Sequence, residues 1–180
     1  IMPLHGPMLQ GDALAEAIRL YNLWSRYEPE SEGILVAYAS IHGNTAQVAK
    51  KLAEMLKENG AKKVVVSDLS RSDMAEVIED AFRYPRLVLC ASSYDGGVFP
   101  VMHDFLHHLQ IKNYQKRRIG LLENGSWAPV AAKKMRAEFE NMKDAVNETF
   151  FDHKHRFYFD RLDSKFLSRR HAGAYWALFA

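Results

Sequence analysis

The sequence has one cysteine, little net charge and no long hydrophobic run. Cys90 alone cannot form an intrachain disulfide, which fits a reducing compartment, so we expect a cytoplasmic protein. A net charge of +2 at pH 7 is too small to indicate binding to nucleic acid or to a membrane. No apolar run approaches the ~20 residues that span a bilayer, and Ile1-Met2-Pro3 does not begin a secretory signal. A chain of 180 residues predicts one globular domain with extra residues at its ends.

Several motifs of ligand-binding proteins are also missing. The sequence contains no G-x-x-x-x-G-K-[ST] loop for nucleoside triphosphates and no G-x-G-x-x-G loop for a dinucleotide pyrophosphate. It contains no His-x-Glu-x-Asp cluster, and no acid-base dyad or paired nucleophile and base is evident. The sequence therefore indicates no reaction that is independent of a cofactor.

One stretch near the start predicts a ligand site. Ile34 to Ala39 are apolar or aromatic without polar alternation, which is typical of a central strand buried on both faces. A helix is predicted over Ala46 to Glu58, with its buried stripe formed by Val48, Leu52, Met55 and Leu56. The polar turn between them consists of Ser40, Ile41, His42, Gly43, Asn44 and Thr45. A turn that ends at a helix N-terminus attracts phosphate, although it could instead be an ordinary connection capped by Asn44 or Thr45.

Strands and helices alternate along the rest of the chain. Further strands are predicted at Lys63 to Asp68, Arg86 to Ser92 and Arg118 to Glu123. Helices are predicted over Ala13 to Tyr27 with Asp12 as its cap, from Ser70 or Ser72 to Phe82, over Pro100 to Leu109, and over Pro129 to Met142. This alternation predicts an α/β fold, a doubly wound parallel sheet with helices on both faces.

Two further loops leave strands in the same direction as the first. The second loop comprises Ser92, Ser93, Tyr94, Asp95, Gly96 and Gly97, and the third comprises Asn124, Gly125, Ser126 and Trp127. Because ligands of doubly wound sheets bind beyond the carboxyl ends of the strands, we expect all three loops to meet at one site. Tyr94 and Trp127 offer aromatic faces to a flat ring, or they anchor their loops without a ligand.

The residues at these positions resemble a known family. Tyr21 to Glu30, Ile34 to Thr45, Ser92 to Pro100 and Glu123 to Pro129 look like the carboxyl-terminal flavodoxin-like domain of a flavodiiron protein, also called an A-type flavoprotein. The resemblance covers Pro3 to Asp144 and implies five parallel strands in the order 2-1-3-4-5. It implies that the first loop holds the phosphate of FMN and that the other two border the isoalloxazine. Ser93 and Asp95 stand where Thr and Asn are more usual, and the third loop lacks the commoner Tyr-Gly-Trp.

The resemblance also implies a function. FMN would relay electrons from a rubredoxin-like or NAD(P)H-dependent reductase donor to a diiron site that reduces oxygen or nitric oxide, within a full-length homodimer. A self-contained flavodoxin or an FMN-dependent quinone reductase is an alternative, as is an interaction module that has lost FMN. Pro3 to Pro7 resemble the end of the family's metallo-β-lactamase-like domain, which implies that His5 is the last ligand of its diiron centre. One histidine cannot hold two irons, so we predict no metal in this chain. His103, His107 and His108 most simply form a solvated helix face.

The resemblance divides the chain into three parts. Residues 1–33 would be the end of a missing diiron domain and a linker helix, and residues 34–148 the FMN-binding domain. Residues 149–180 form an atypical tail, either disordered or supplying the last strand and helix. Arg156 to Phe159 is the candidate for the fifth strand, and a reading-frame shift after about Val146 would explain the unusual composition. This basic, aromatic tail could bind nucleic acid, but we rank that interpretation below a tail that binds no ligand.

Overall fold

The computed structural model describes residues 1–125, 129–152, 157–158, 161–162 and 165–166 of the chain. Five helices lie in this part: α1 (Gly11–Ser25), α2 (Asn44–Glu58), α3 (Met74–Arg83), α4 (Pro100–Ile111) and α5 (Ala131–Phe150). They alternate with the strands β1 (Ile34–Ala39), β2 (Val64–Asp68), β3 (Arg86–Tyr94), β4 (Gly97–Val98) and β5 (Arg118–Asn124). No helix of the described ranges has both the length and the apolar character needed to cross a membrane.

The four long strands form a parallel sheet in the order β2-β1-β3-β5. Ile34 of β1 lies beside Val64 of β2 and Arg86 of β3, and Arg86 lies beside Arg118 of β5. The strands therefore start at one edge of the sheet and end together at the other. The predicted flavodoxin-like α/β fold is confirmed, with the predicted order of its first four strands.

The fifth member of the sheet is the short strand β4, which pairs antiparallel with the end of β3. Asp95 and Gly96 form the turn between them, with φ values of 47° and 66°. Positive φ at both central positions is typical of a type I′ hairpin turn, for which Asp-Gly is a preferred pair. The predicted second loop is therefore the end of a strand and a tight hairpin.

The chain beyond α5 forms short strand pairs. Within Arg156 to Phe159, the candidate fifth strand, Phe157–Tyr158 (β7) pairs antiparallel with Phe151–Asp152 (β6) and not with the main sheet. Arg161–Leu162 (β8) pairs with Lys165–Phe166 (β9). Helix α5 continues past residue 148, where a domain boundary is predicted. The other predictions for the tail fall outside the described residues.

Two apolar layers cover the two faces of the sheet. All six residues of β1 are buried, which confirms its central position. On one face, Leu35 and Leu87 pack in a large cluster with residues of α3, α4 and α5, including the fully buried Phe105. On the other face, Val36 and Cys90 pack in a smaller cluster with α2.

Helix α2 buries a different stripe from the predicted one. Val48 and Met55 are exposed by 44% and 48%, whereas the buried positions are Thr45, Ala49 and Ala53. The predicted stripe is therefore wrong at two of its four positions. Alanine has no side chain beyond Cβ, so this face allows the helix to lie close to the sheet. The rotation also turns Thr45 inward, towards the end of β3.

Two predicted helix caps are also wrong. Helix α3 is capped by Asp73, whose Oδ1 accepts the N–H of Ala75 at 2.7 Å, and not by Ser70 or Ser72. Helix α1 begins at Gly11, so Asp12 lies in its first turn and makes no cap. Helix α1 buries none of its residues. Trp24 of α1 donates its Nε1–H to Glu30, in the segment that follows the helix, at 2.6 Å.

Candidate functional site

The three predicted loops meet at the carboxyl edge of the sheet and enclose a cavity of about 290 Å³. Its lining contains nine of the sixteen predicted site residues, all from the three loops: Ser40, Ile41, His42, Asn44, Thr45, Ser92, Ser93, Asn124 and Gly125. Of the others, Gly43 lies in the same turn, and Tyr94 to Gly97 form the adjacent hairpin. Ser126 and Trp127 fall outside the described residues. The sequence prediction that the loops converge is supported by this geometry.

Hydroxyl groups from different loops are joined at the base of the cavity. Thr45 Oγ1 and Ser92 Oγ lie 2.9 Å apart, although the residues are 47 positions apart in the chain. Both side chains are buried, and Asn124 Nδ2 donates to Thr45 Oγ1 at 3.3 Å. One hydrogen joins the two hydroxyls, whichever of them donates it. The pair therefore keeps a second hydroxyl hydrogen with which to bind a ligand.

The first loop directs further donors at the same point. The Gly43 N–H donates to Ser40 Oγ at 3.1 Å, which leaves the Ser40 hydroxyl hydrogen available. Gly43 has a φ of +87°, a left-handed conformation that favours glycine. The hydrogen bonds within α2 start with the Gln47 N–H, which donates to Gly43 O at 3.0 Å. The N–H groups of residues 44 to 46 precede it and have no acceptor within the helix.

The N-termini of α3 and α5 are capped by side chains, whereas those of α1 and α4 are not. Asp73 caps α3, and Ser93 Oγ accepts the N–H groups of Val130 and Ala131 at the start of α5, at 2.9 and 3.1 Å. Glu123 Oε2 accepts the next N–H of α5, that of Ala132, at 2.9 Å. Helix α2, by contrast, has no side-chain cap. An anion at this edge of the sheet would therefore find free N–H groups at α2.

The roles of Ser93 and Glu123 at α5 were missed in the sequence. The notable feature is distance: the Ser93 hydroxyl binds backbone groups 37 and 38 residues away. A capping box places its partners three residues apart, and no such motif marks this contact. Ser93 was predicted to border a flavin, and the structure shows that its oxygen accepts two backbone N–H groups at the start of α5.

Tyr94 stands beside the cavity on the hairpin. Its side chain is 49% exposed, and its ring lies edge-on to that of Phe99 with centroids 5.6 Å apart. The ring is thus fixed by a neighbour while much of its surface remains open, which suits stacking against a planar ligand.

The cavity lining is electrically neutral apart from His42. No Lys, Arg, Asp or Glu is among the described residues that line it. Cys90 lies nearby in β3 but is fully buried, and burial raises the pKa of its thiol to about 11. A thiol of this kind stays protonated at neutral pH, in agreement with its assignment as a core residue.

The histidines of α4 do not gather in a metal site. His103 and His107 are exposed, and His108 faces Asp104 at 3.8 Å on the same helix. Within the described part of the chain, no group of three or more His, Cys, Asp or Glu side chains could hold a metal ion.

The donor set fits a phosphorylated flavin. Three hydroxyl hydrogens, from Ser40, from the Thr45 and Ser92 pair and from Ser93, remain for the cavity, and the amide of Asn44 and the α2 N-terminus add to them. Neutral hydrogen-bond donors of this kind suit one terminal phosphate. The half-exposed Tyr94 ring beside them suits a flat heterocycle.

Known structures share the fold of this chain. Rubredoxin oxygen:oxidoreductase from the anaerobe Desulfovibrio gigas is 16% identical over 73% of this chain and 32% of its own, with a TM-score of 0.67. The flavodiiron protein from Giardia intestinalis is 19% identical over the same shares, with a TM-score of 0.67. A flavodoxin from the domain Archaea is 18% identical over 62% of this chain and 75% of its own, with a TM-score of 0.53. The chain thus spans about a third of the two larger proteins, and the predicted resemblance is confirmed at the level of the fold.

No curated protein matches the sequence significantly. A family model of the flavodoxin domain, however, matches residues 35–159, which is more than half of the chain. The match begins in the central strand and includes all three loops of the cavity. It implies FMN as the cofactor and electron transfer as its use, and the chain belongs to the flavodoxin domain family.

Proposed function

We propose that the cavity binds FMN through the predicted site residues and that the chain works as an electron-transfer module. The observation that carries this proposal is the cluster of hydroxyl groups that can still donate a hydrogen bond, next to the N-terminus of α2, which has no side-chain cap. Ser40, Asn44 and Thr45 would hold the phosphate. Tyr94 and the Asn124-Gly125 turn would border the ring system, together with Trp127 of the third loop.

The protein's own groups determine how such a cofactor is held. The bound flavin supplies the redox chemistry, taking up two electrons and passing them on singly. Because no Lys or Arg is among the described residues of the lining, hydroxyl and amide dipoles would supply most of the stabilisation of the phosphate charge. Thr45 and Ser92 are buried, so water on the protein side of the cavity does not compete with the ligand for their hydroxyl hydrogens.

The role within a larger protein is a further part of the proposal. A third of the length of two flavodiiron-type structures shares this fold, which supports a relay that passes electrons to a diiron domain. Residues 1–33 would then connect the two domains, and the exposed Tyr21 and Trp24 of α1 would face the other domain. The name of the first structure points to a rubredoxin-like donor, and a reductase that uses NAD(P)H is the other candidate. The full-length protein would be a cytoplasmic homodimer.

Titration with FMN tests the core of the proposal. We expect the purified chain to bind close to one equivalent at micromolar concentration, with quenching of flavin fluorescence. The reduced complex should pass electrons to a one-electron acceptor such as ferric cytochrome c. A folded chain that did not take up FMN would contradict the proposal. Oxygen reduction by this chain with its own bound iron would contradict the proposal that the chain only transfers electrons and that a separate diiron domain reduces oxygen.

A self-contained flavodoxin or quinone reductase is the second candidate. It is favoured by the archaeal flavodoxin, of which this chain covers 75%. The two functions differ in steady-state kinetics: a quinone reductase with bound FMN turns over NAD(P)H and a quinone, whereas a relay module does so only with a separate reductase. Turnover of NAD(P)H by the chain alone would favour the second candidate.

A further inference from the structure

Ser93 connects the second and third loops of the cavity. Its hydroxyl oxygen accepts two backbone N–H groups, from Val130 at 2.9 Å and from Ala131 at 3.1 Å. Val130 lies between the third loop and α5, and Ala131 is fully buried. The hydroxyl thus caps α5 from a strand that is 37 residues away, and the third loop has to end where this cap is made.

The start of the third loop lies against the same hydroxyl. A Cβ atom placed on Gly125 would be 3.2 Å from Ser93 Oγ and 3.3 Å from Cα of Pro129. These separations are tighter than ordinary contacts, so Gly125 is held closely between the two residues. Ser93 therefore contacts the third loop where it starts and binds the backbone where the loop ends.

The strand that carries Ser93 is itself fixed. Ser93 pairs with Val98 across the hairpin of β3 and β4, and its neighbour Ser92 bonds to Thr45 of the first loop. With two acceptor positions used, the Ser93 hydroxyl hydrogen is free to donate into the cavity. One side chain thus connects a rigid hairpin, the third loop and the ligand space.

We propose that Ser93 is a positioning residue that holds Gly125 and the start of α5 in their FMN-binding arrangement before the cofactor arrives. This inference rests on the proposed function. Without the cap, Gly125 and the start of α5 would occupy the competent arrangement for only part of the time, and the apparent dissociation constant for FMN would rise in proportion.

Three variants test this role. Ser93→Ala removes the cap, and typical cap losses correspond to an increase of about tenfold in the dissociation constant for FMN. Ser93→Thr keeps the hydroxyl and should bind within about threefold of wild type, because threonine also caps helices. Asp73→Ala removes the cap of α3, which is outside the cavity lining, and serves as the matched control. In this variant the free energy of unfolding should fall and the affinity for FMN should stay unchanged. The midpoint potential of bound flavin should shift only in Ser93→Ala.

The outcomes separate the two proposals. If wild type does not bind FMN, the proposed function fails. If wild type binds and Ser93→Ala matches Asp73→Ala in affinity and potential, the positioning role alone is overturned. Amide exchange of wild type without FMN gives a second measure that needs no variant. We expect the N–H groups of Val130 and Ala131 to be protected from hydrogen exchange. Their rapid exchange in folded protein would overturn the positioning role of Ser93.

Discussion

The paired hydroxyls of Thr45 and Ser92 lead to an unusual prediction for mutagenesis. The oxygens are 2.9 Å apart, and one of the two hydrogens joins them while the other remains for the ligand. Thr45→Val removes one hydroxyl but frees the hydrogen of Ser92. Ser92→Ala has the converse effect. Each single variant therefore keeps one donor, and only the double variant has none.

The magnitude follows from the charge of the ligand. A hydrogen bond to a charged group contributes roughly 1.5–3 kcal/mol, or about 10- to 150-fold in affinity. We expect that loss in the double variant. Each single variant should lose about threefold, since its remaining hydroxyl is slightly misplaced, so the effects should be strongly non-additive. Stability should fall in Thr45→Val by about 1 kcal/mol or more, because Asn124 Nδ2 loses its acceptor.

The assay compares FMN with riboflavin, which lacks the phosphate. The ratio of their dissociation constants isolates the phosphate contribution and cancels changes in the ring site or in folding. In the double variant the preference for FMN should fall by about 10- to 150-fold, and riboflavin affinity should stay near that of wild type. Thr45→Ser keeps the hydroxyl and serves as the control. The reasoning would be refuted if either single variant already showed the full loss of preference for FMN, or if the preference of the double variant equalled that of wild type.

Three further predictions concern stability. Gly43→Ala should lower the free energy of unfolding by about 1 kcal/mol in urea, because φ is +87° there, and Gly43→Asn should lose less. Burial raises the pKa of the Cys90 thiol from 9.0 to about 11. The contribution of the buried thiol to stability is therefore complete below pH 9 and is lost between pH 9 and 11, which lowers the free energy of unfolding by roughly 2–3 kcal/mol. Cys90→Ala should flatten this part of the plot of unfolding free energy against pH. Gly33→Ala should destabilise by about 1–3 kcal/mol in thermal unfolding, because the new Cβ would be 2.4 Å from Cδ1 of the buried Tyr84, and an unchanged melting temperature would contradict this contact.

The parts of the fold that the sequence predicts well are those set by strong local patterns. Ile34–Ala39 is apolar at every position, and all six residues are buried at the centre of the sheet. The alternation of strands and helices predicts parallel strands, and parallel strands bring their carboxyl ends to one edge. The convergence of the three loops follows from that topology, which is why it could be predicted without coordinates.

Helix α2 shows where hydrophobicity is a poor guide. Val48 and Met55 are more hydrophobic than alanine, yet Ala49 and Ala53 face the sheet. The burial of a helix face depends on how closely its backbone can approach the sheet, and small side chains favour the closest approach. The same rotation places Thr45 in the interior, so the side-chain pattern and the site are linked.

Caps were mispredicted for a different reason. Ser72 and Asp73 are adjacent, and both residue types are common caps, so their identity alone does not distinguish them. Ser93 is harder still to predict, because its two N–H donors are 37 and 38 residues away. Only the folded sheet brings a strand end and a distant helix start together.

The same hydroxyl oxygens therefore serve both the fold and the ligand. Ser40 and Ser93 accept backbone N–H groups, and one hydroxyl of the Thr45 and Ser92 pair donates to the other, so three hydroxyl hydrogens remain for the cavity. A hydroxyl can do both because it accepts and donates at once, whereas a lysine or arginine only donates. A lining built from hydroxyls can thus be ordered before an anion arrives. Since no lining residue of the described structure is a permanent cation, FMN affinity should depend on salt less steeply than at a basic phosphate site.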